Sequence, residues 1–243
     1  GMSASPRAEI SITTSRVFNN PVIYNSNFNI GSLVRSFMFN GDLYAIGSRT
    51  TDIAIVKYSM ATPNDGAVEG SMSLTPPMSG AVIHDLYVDA NGVYVGWGNL
   101  NSTVIYIQRY SLNLTGSAQA VYSSTFDSGF NAKIRIKGNN NTSYGNAKLQ
   151  ALFWNDYGIA SLTYLDMNLG AIATMSINLP VTPTAMEWTS YISSGNSPRT
   201  ALILSAYSPY VYVVDSNPAF TASTTAFFSG TADDLAGSPN LGY

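Results

Sequence analysis

Short runs in which apolar and polar side chains alternate recur along the whole chain. Early examples are Ser36-Phe-Met-Phe39, Leu43-Tyr-Ala-Ile46, Ile53-Ala-Ile-Val-Lys-Tyr58, Val93-Tyr-Val95 and Val104-Ile-Tyr-Ile107. Later ones are Leu149-Gln-Ala-Leu-Phe-Trp154, Ala160-Ser-Leu-Thr-Tyr-Leu165, Ala201-Leu-Ile-Leu204 and Tyr210-Val-Tyr-Val-Val214. Each is short, rich in β-branched and aromatic residues, and bounded by Gly, Asn, Asp or Pro, which is the signature of a strand. No window of about 12 residues combines apolar spacing at i, i+3 and i+4 with a capping signal. The pattern predicts an all-β chain.

The strands repeat. Lys57-Tyr-Ser-Met60, Arg109-Tyr-Ser-Leu-Asn113, Thr163-Tyr-Leu-Asp-Met-Asn168 and Val213-Val-Asp-Ser-Asn217 start about 50–56 residues apart. A fixed period of that size marks units that cannot bury their apolar faces alone and must stack on their neighbours. Four strands are expected in each unit: 33–39, 43–47, 53–59 and 67–74; then 82–88, 93–98, 104–111 and 118–125; then 132–138, 148–154, 159–167 and 171–178; then 185–193, 200–206, 210–215 and 223–229. The leading expectation is a single-domain β-propeller. Its blades would lie at about 31–75, 80–126, 131–179 and 183–230, with a fifth composite blade from residues 8–30 and the C-terminal tail. Such end-to-end pairing removes exposed sheet edges. A four-bladed ring with an N-terminal extension is the alternative.

Residues 85–116 resemble the repeats of the bacterial β-propeller family of seven-bladed-propeller type. Asp89-Ala-Asn-Gly92, Tyr94-Val-Gly96 and the strand ending at Gly116 carry the resemblance, and residues 43–58 carry the second half of the pattern. The third and fourth units depart from it, with Trp154-Asn-Asp-Tyr-Gly158 and Ser205-Ala-Tyr-Ser-Pro209 at the corresponding step. The resemblance implies a fold and no activity, because propellers host many functions.

Composition narrows the function classes. The 243 residues include no cysteine, which excludes a disulfide scaffold and a Cys-based zinc site. Charged residues make up 10%, against about 25% in typical domains. The weakly charged, polar surface this implies suits an extracellular or particle-associated protein. Net charge is −3, and no basic cluster is dense enough for a nucleic-acid footprint. The densest basic run, Lys133, Arg135 and Lys137, has a period of two and is expected to form a solvated strand face. No apolar run reaches the 18–20 or so residues of a membrane span. Gly1 before Met2 reads as an expression scar, with no signal peptide after it.

Chemistry-bearing residues are sparse. His84 is the only histidine, so no multi-His metal centre or Cys-His dyad is available within one chain. It is expected to be a structural residue, and no cofactor is expected. A glycoside hydrolase would need paired acids near the axis, and Asp42, Asp85 and Glu187 fall on or beside innermost strands. Glu187 next to Trp188 is the most enzyme-like of these, since an aromatic neighbour raises a carboxyl pKa. Asp42 sits in a turn where Asp is favoured on geometric grounds alone.

The loops between second and third strands carry Arg49, Trp97, Trp154 with Asn155 and Asp156, and Tyr207. These would share one propeller face with the blade-to-blade connections. An aromatic ring beside Asn or Asp suits a glycan, and exposed aromatics equally suit a protein partner. Packing between blades is the competing role for the tryptophans. The expectation is a non-catalytic recognition or structural module binding glycan or protein through this face. The alternative is a glycan-active enzyme with axial carboxylates.

Overall fold

A computed structural model of the chain describes residues 32–61, 66–139, 145–179, 182–183, 185–192, 198–205, 210–215, 225–229 and 240–241. Regular structure among them is entirely strand. The first sheet runs β1 (Ser32–Phe39), β2 (Asp42–Ser48), β3 (Ile53–Ser59), β4 (Val68–Leu74). The second is β5 (Ala81–Asp89), β6 (Gly92–Asn99), β7 (Val104–Tyr110), β8 (Ala120–Thr125). The third is β9 (Lys133–Asn139), β10 (Leu149–Trp154), β11 (Ile159–Leu165), β12 (Ala171–Asn178). The fourth is β13 (Ala185–Ile192), β14 (Pro198–Ser205), β15 (Tyr210–Asp215), β16 (Thr225–Ser229). Each sheet is an antiparallel meander in chain order. The short β17 (Asn240–Leu241) lies parallel to β9, with Asn240 opposite Gly138 and Leu241 opposite Asn139. This part of the C-terminal tail therefore adds a fifth strand to the third sheet, whereas a separate composite blade was expected. Residues 8–30, the other half of that expectation, lie outside the described residues.

Local chemistry closes the hairpins. Asn40 and Gly41, between β1 and β2, have φ of 49° and 81°, the double left-handed step of a two-residue hairpin turn. Before β6, the Asp89 carboxylate accepts the Asn91 N–H at 2.7 Å. Gly92 then brings the chain against the Tyr110 carbonyl, where a Cβ would lie at 2.5 Å.

The sheets bury one another, and the period of two shows how. On β6, Val93, Val95 and Trp97 pack with Tyr44, Ile46 and Ile55 of the first sheet. The intervening Tyr94 faces the other way, into a cluster with Ile134, Leu149 and Phe153 of the third. On β10 the alternation repeats: Leu149, Ala151 and Phe153 face the second sheet, while Leu152 and Trp154 meet Met186 and Trp188 of the fourth. Three apolar layers thus lie between four successive sheets. No sheet has its own core, as the repeat period requires.

Tyrosines fifty residues apart latch these layers. Tyr44 Oη donates to the Leu112 carbonyl at 3.3 Å and Tyr94 Oη to the Met167 carbonyl at 3.3 Å. In each case a second strand reaches the turn between the third and fourth strands of the next sheet. At the matching place of the third sheet stands Gln150, which accepts the Trp188 indole N–H at 3.0 Å.

Candidate functional site

The innermost strands stand side by side, β1 beside β5 and β5 beside β9. Positions 35, 85 and 135, spaced by fifty, and position 187 on β13 occupy matching places and carry Arg, Asp, Arg and Glu. Opposite charges therefore alternate from sheet to sheet. Register shifts in β1 and β5 skip Val34 and His84, so each bulge immediately precedes a charged residue. A bulge re-aims the side chain next to it. Arg35 Nε consequently donates to Asp85 Oδ1 at 2.7 Å.

Asp85 is 1% exposed and fully engaged. Its Oδ1 also accepts the Leu86 N–H at 2.8 Å, and its Oδ2 accepts the Ile136 N–H at 2.7 Å. One carboxylate therefore joins three innermost strands. Burial pushes its pKa up, and the Arg35 guanidinium and the Ile136 N–H pull the other way. Glu187, also buried, takes Lys137 Nζ at 2.9 Å and lies 3.9 Å from Arg135 Nε. Lys137 donates further to the Trp188 carbonyl at 2.5 Å and sits 4.5 Å from the centroid of its ring. Burial holds the Lys137 ammonium below the usual lysine value, with Glu187 opposing.

The expectation of a solvated face for Lys133, Arg135 and Lys137 is thereby corrected. Lys137 is 5% exposed, and it and the half-buried Arg135 face Glu187. A lysine of this strand can be buried here because the fourth sheet supplies the carboxylate. Beside this belt lies a cavity of about 410 Å³, whose apolar wall is Phe37, Met38, Leu86 and Ile136 and whose polar side is Arg35, Lys137 and Glu187. The three carboxylates considered for hydrolysis all have cationic partners, since Asp42 lies 3.5 Å from Lys57 Nζ. Among the described residues no cluster of His, Cys, Asp and Glu could hold a metal ion.

His84, left unpaired by the bulge in β5, lies edge-on to Trp154 with ring centroids 6.4 Å apart. Burial, then the cations Arg135 and Lys133, depress its pKa to about 4. The unfolded chain takes up the proton first, near the ordinary value of 6.5, so stability falls as pH drops below 6.5 and levels off near 4. From pH 7 to pH 5 the loss from this one group is about 2 kcal/mol. Urea unfolding of wild type and His84→Gln across that range checks this: the variant should lose that much less, and parallel pH curves would contradict it.

A second region is the face bearing the connections between sheets. Asn99, at the end of β6, accepts the Asn101 N–H at 3.0 Å and donates through Nδ2 to the Ser79 carbonyl at 3.2 Å. Asn155, just after β10, does the same with the Tyr157 N–H at 2.9 Å and the Ser128 carbonyl at 2.7 Å. In both places a Ser-Gly pair follows this geometry. Gly80 and Gly129 have φ of 78° and 102°, and a Cβ on either would strike the asparagine side chain at 2.9 or 2.5 Å. Each asparagine ties its own loop to the connection entering its sheet.

The residues singled out from sequence fall into three groups. Trp97 is 0% exposed and donates to Gln108 Oε1 at 2.9 Å, and Trp154 is 2% exposed. Neither ring has a free face on which a sugar could stack, and both occupy the layers between sheets. Asn155 is wholly buried and its amide is spent on the loop. Arg49 forms a double contact with Asp52, at 2.7 and 2.5 Å. Together with Ser73 it holds the Asp52 pKa down to about 2. Asp156 remains partly exposed and accepts Asn131 Nδ2 at 3.1 and 3.2 Å. Tyr207 lies outside the described residues.

Two residues not singled out from sequence are the prominent ones on this face. Phe130 and Tyr157 are 48% and 61% exposed, with ring centroids 5.9 Å apart in an edge-to-face contact. They are held together from below, because the Asp156 N–H donates to the Phe130 carbonyl at 3.1 Å. Sequence carries one signal for them: each directly follows a turn-favouring pair, Ser128-Gly129 or Asn155-Asp156.

No protein-family model matches the chain, and no curated protein matches its sequence. Solved structures match in shape. The Dos1 propeller superposes with a TM-score of 0.53 at 11% identity, covering 83% of this chain and 50% of that one. The complex of the fission yeast SREBP–SCAP binding domains matches with a TM-score of 0.50 at 13% identity, covering 94% of this chain and 56% of that one. The chain thus spans about half the length of these structures. The four-stranded meanders, packed face to face with β1 beside β5 and β5 beside β9, and these likenesses agree on one architecture. The chain has an all-β, propeller-type fold.

Proposed function

We propose that this chain is a non-catalytic binding module that recognises a protein partner through the face carrying Phe130 and Tyr157. The single observation behind this reading is that exposed aromatic pair, set on a base tied by the Asp156 N–H to the Phe130 carbonyl and by the buried Asn155 side chain. Large aromatic side chains exposed in fixed positions lose little entropy on docking and bury much area, which is why they dominate protein-binding hot spots. Burial of Trp97 and Trp154 and engagement of the Asn155 amide weigh against a sugar stacked on those residues. The pairing of Asp42, Asp85 and Glu187 with cations supports binding over hydrolysis. The fission yeast neighbour, itself a complex of binding domains, illustrates how such a fold can hold a protein.

The test is photo-crosslinking from a benzoylphenylalanine placed at position 128, beside the pair, in cells that naturally make the protein. A captured protein should be reduced at least tenfold in yield by the double variant Phe130→Ser, Tyr157→Ser, since a hot-spot residue contributes about 2 kcal/mol or more. Capture indifferent to the double variant would overturn the reading. Glycan-array binding that the same variant abolishes would reassign this face to carbohydrate.

A further inference from the structure

The cavity beside the charged belt, remote in character from the aromatic face, has features of a small-molecule site. Its volume of about 410 Å³ is within the roughly 300–1,000 Å³ such sites occupy. One wall is apolar, formed by Phe37, Met38, Leu86 and Ile136. Its polar groups differ in availability. Lys137 is engaged by the Glu187 carboxylate, the Trp188 carbonyl and the Trp188 ring, and it serves as scaffold. Glu187 is held in turn by Lys137 and Arg135.

Arg35 is different. Its guanidinium is fixed through Nε alone, because Asp85 Oδ1 is shared with the Leu86 N–H and Asp85 Oδ2 is taken by the Ile136 N–H. Among the described residues the two Nη groups make no bond, and the side chain is 39% exposed at the cavity. Among the described residues, the belt cations Arg35, Arg135 and Lys137 face Asp85 and Glu187, which leaves one positive charge in excess there. A guanidinium edge offering two parallel N–H donors matches a carboxylate in a bidentate fork. Apolar walls next to that edge match a short hydrocarbon tail.

We propose that this cavity binds a small organic carboxylate, with the Arg35 Nη edge gripping its head and Phe37, Met38, Leu86 and Ile136 enclosing its apolar end. Asp85 orients the guanidinium, while the Lys137–Glu187 pair closes the polar side without competing for the ligand. An inorganic anion would leave the apolar wall unused, and an amine would meet the excess positive charge. The preference is therefore for carboxylates carrying an alkyl or aryl group.

Ligand-observed NMR titration with hexanoate, hexanamide and hexylammonium tests this on the full chain. Hexanoate should bind at least tenfold more tightly than hexanamide, and hexylammonium should not bind. Arg35→Lys keeps a cation beside Asp85 but removes the fork, and should reduce hexanoate affinity about tenfold. Met38→Trp fills the cavity without touching the ion pair and should abolish binding of hexanoate. An unchanged thermal transition certifies that each variant is folded. Equal binding of hexanoate and hexanamide, no binding of hexanoate by the wild type, or hexanoate binding unaffected by both substitutions would each overturn the proposal. The aromatic-face double variant should leave hexanoate affinity unchanged, which keeps this site distinct from partner recognition.

Discussion

Replacing Trp97 by Ala is expected to destabilise the protein by about 3–5 kcal/mol, the range for removing a large aromatic from a tight core. Trp97 is among the largest fully buried side chains and lies between the first two sheets, against the layer formed by Tyr44, Ile46 and Ile55. Its loss also leaves Gln108 Oε1 without the indole N–H, though the Tyr110 hydroxyl still donates to that oxygen at 3.1 Å. Relaxation is restricted on one side: a Cβ on neighbouring Gly98 would lie 2.2 Å from the Ala132 carbonyl, so the β6 backbone cannot move that way. For a chain of this size each kcal/mol lowers the melting temperature by about 2–4 °C. The drop should therefore be on the order of 10 °C, measured by calorimetry or near-UV dichroism. A loss below about 1 kcal/mol would mean that the ring does not sit where described. The same measurement separates a core tryptophan from one serving a ligand, whose removal would spare stability.

Asp85→Asn should cost about 2–4 kcal/mol. The amide is nearly the same size, so the effect isolates charge and acceptor count. Asp85 offers two oxygens to three donors on β1, β5 and β9, two of them backbone N–H groups. Asparagine keeps one oxygen and turns an NH2 group toward one of those donors. One buried N–H is left unsatisfied, at about 1–3 kcal/mol, and the surviving bonds lose the strengthening that a charged acceptor gives. Arg35, being partly exposed, can recover hydration, which keeps the loss below that of an enclosed ion pair. Urea unfolding measures the change. A variant as stable as wild type would show that the carboxylate does not join the three strands.

Strand positions were legible because they depend on local alternation. All sixteen meander strands fall within two residues, at each end, of where the pattern places them. The stacking of sheets was equally legible, since residues such as Val93 and Tyr94 must bury opposite faces and can do so only between two neighbours. The site was much less so. Arg35 drew no notice, although Arg35, Asp85 and Arg135 are spaced by fifty, because a charge alternating between repeats shows only when repeats are aligned on their first strands. Lys137 looked like surface because nothing local says that Glu187, fifty residues on, supplies its counter-charge. Trp97 and Asn155 carried the composition of a binding site. What they do is decided by depth, which a loop boundary does not encode.

The paired asparagines have an implication for remodelling this molecule. Asn99 is bonded to Ser79 and Asn155 to Ser128, so these two loops are keyed to segments 20 and 27 positions upstream. Grafting a foreign loop alone onto this side would sever that key and strand the carbonyl of its mate. Exchanges should succeed when the two segments travel as one cassette, so that diversification here proceeds by coupled pairs.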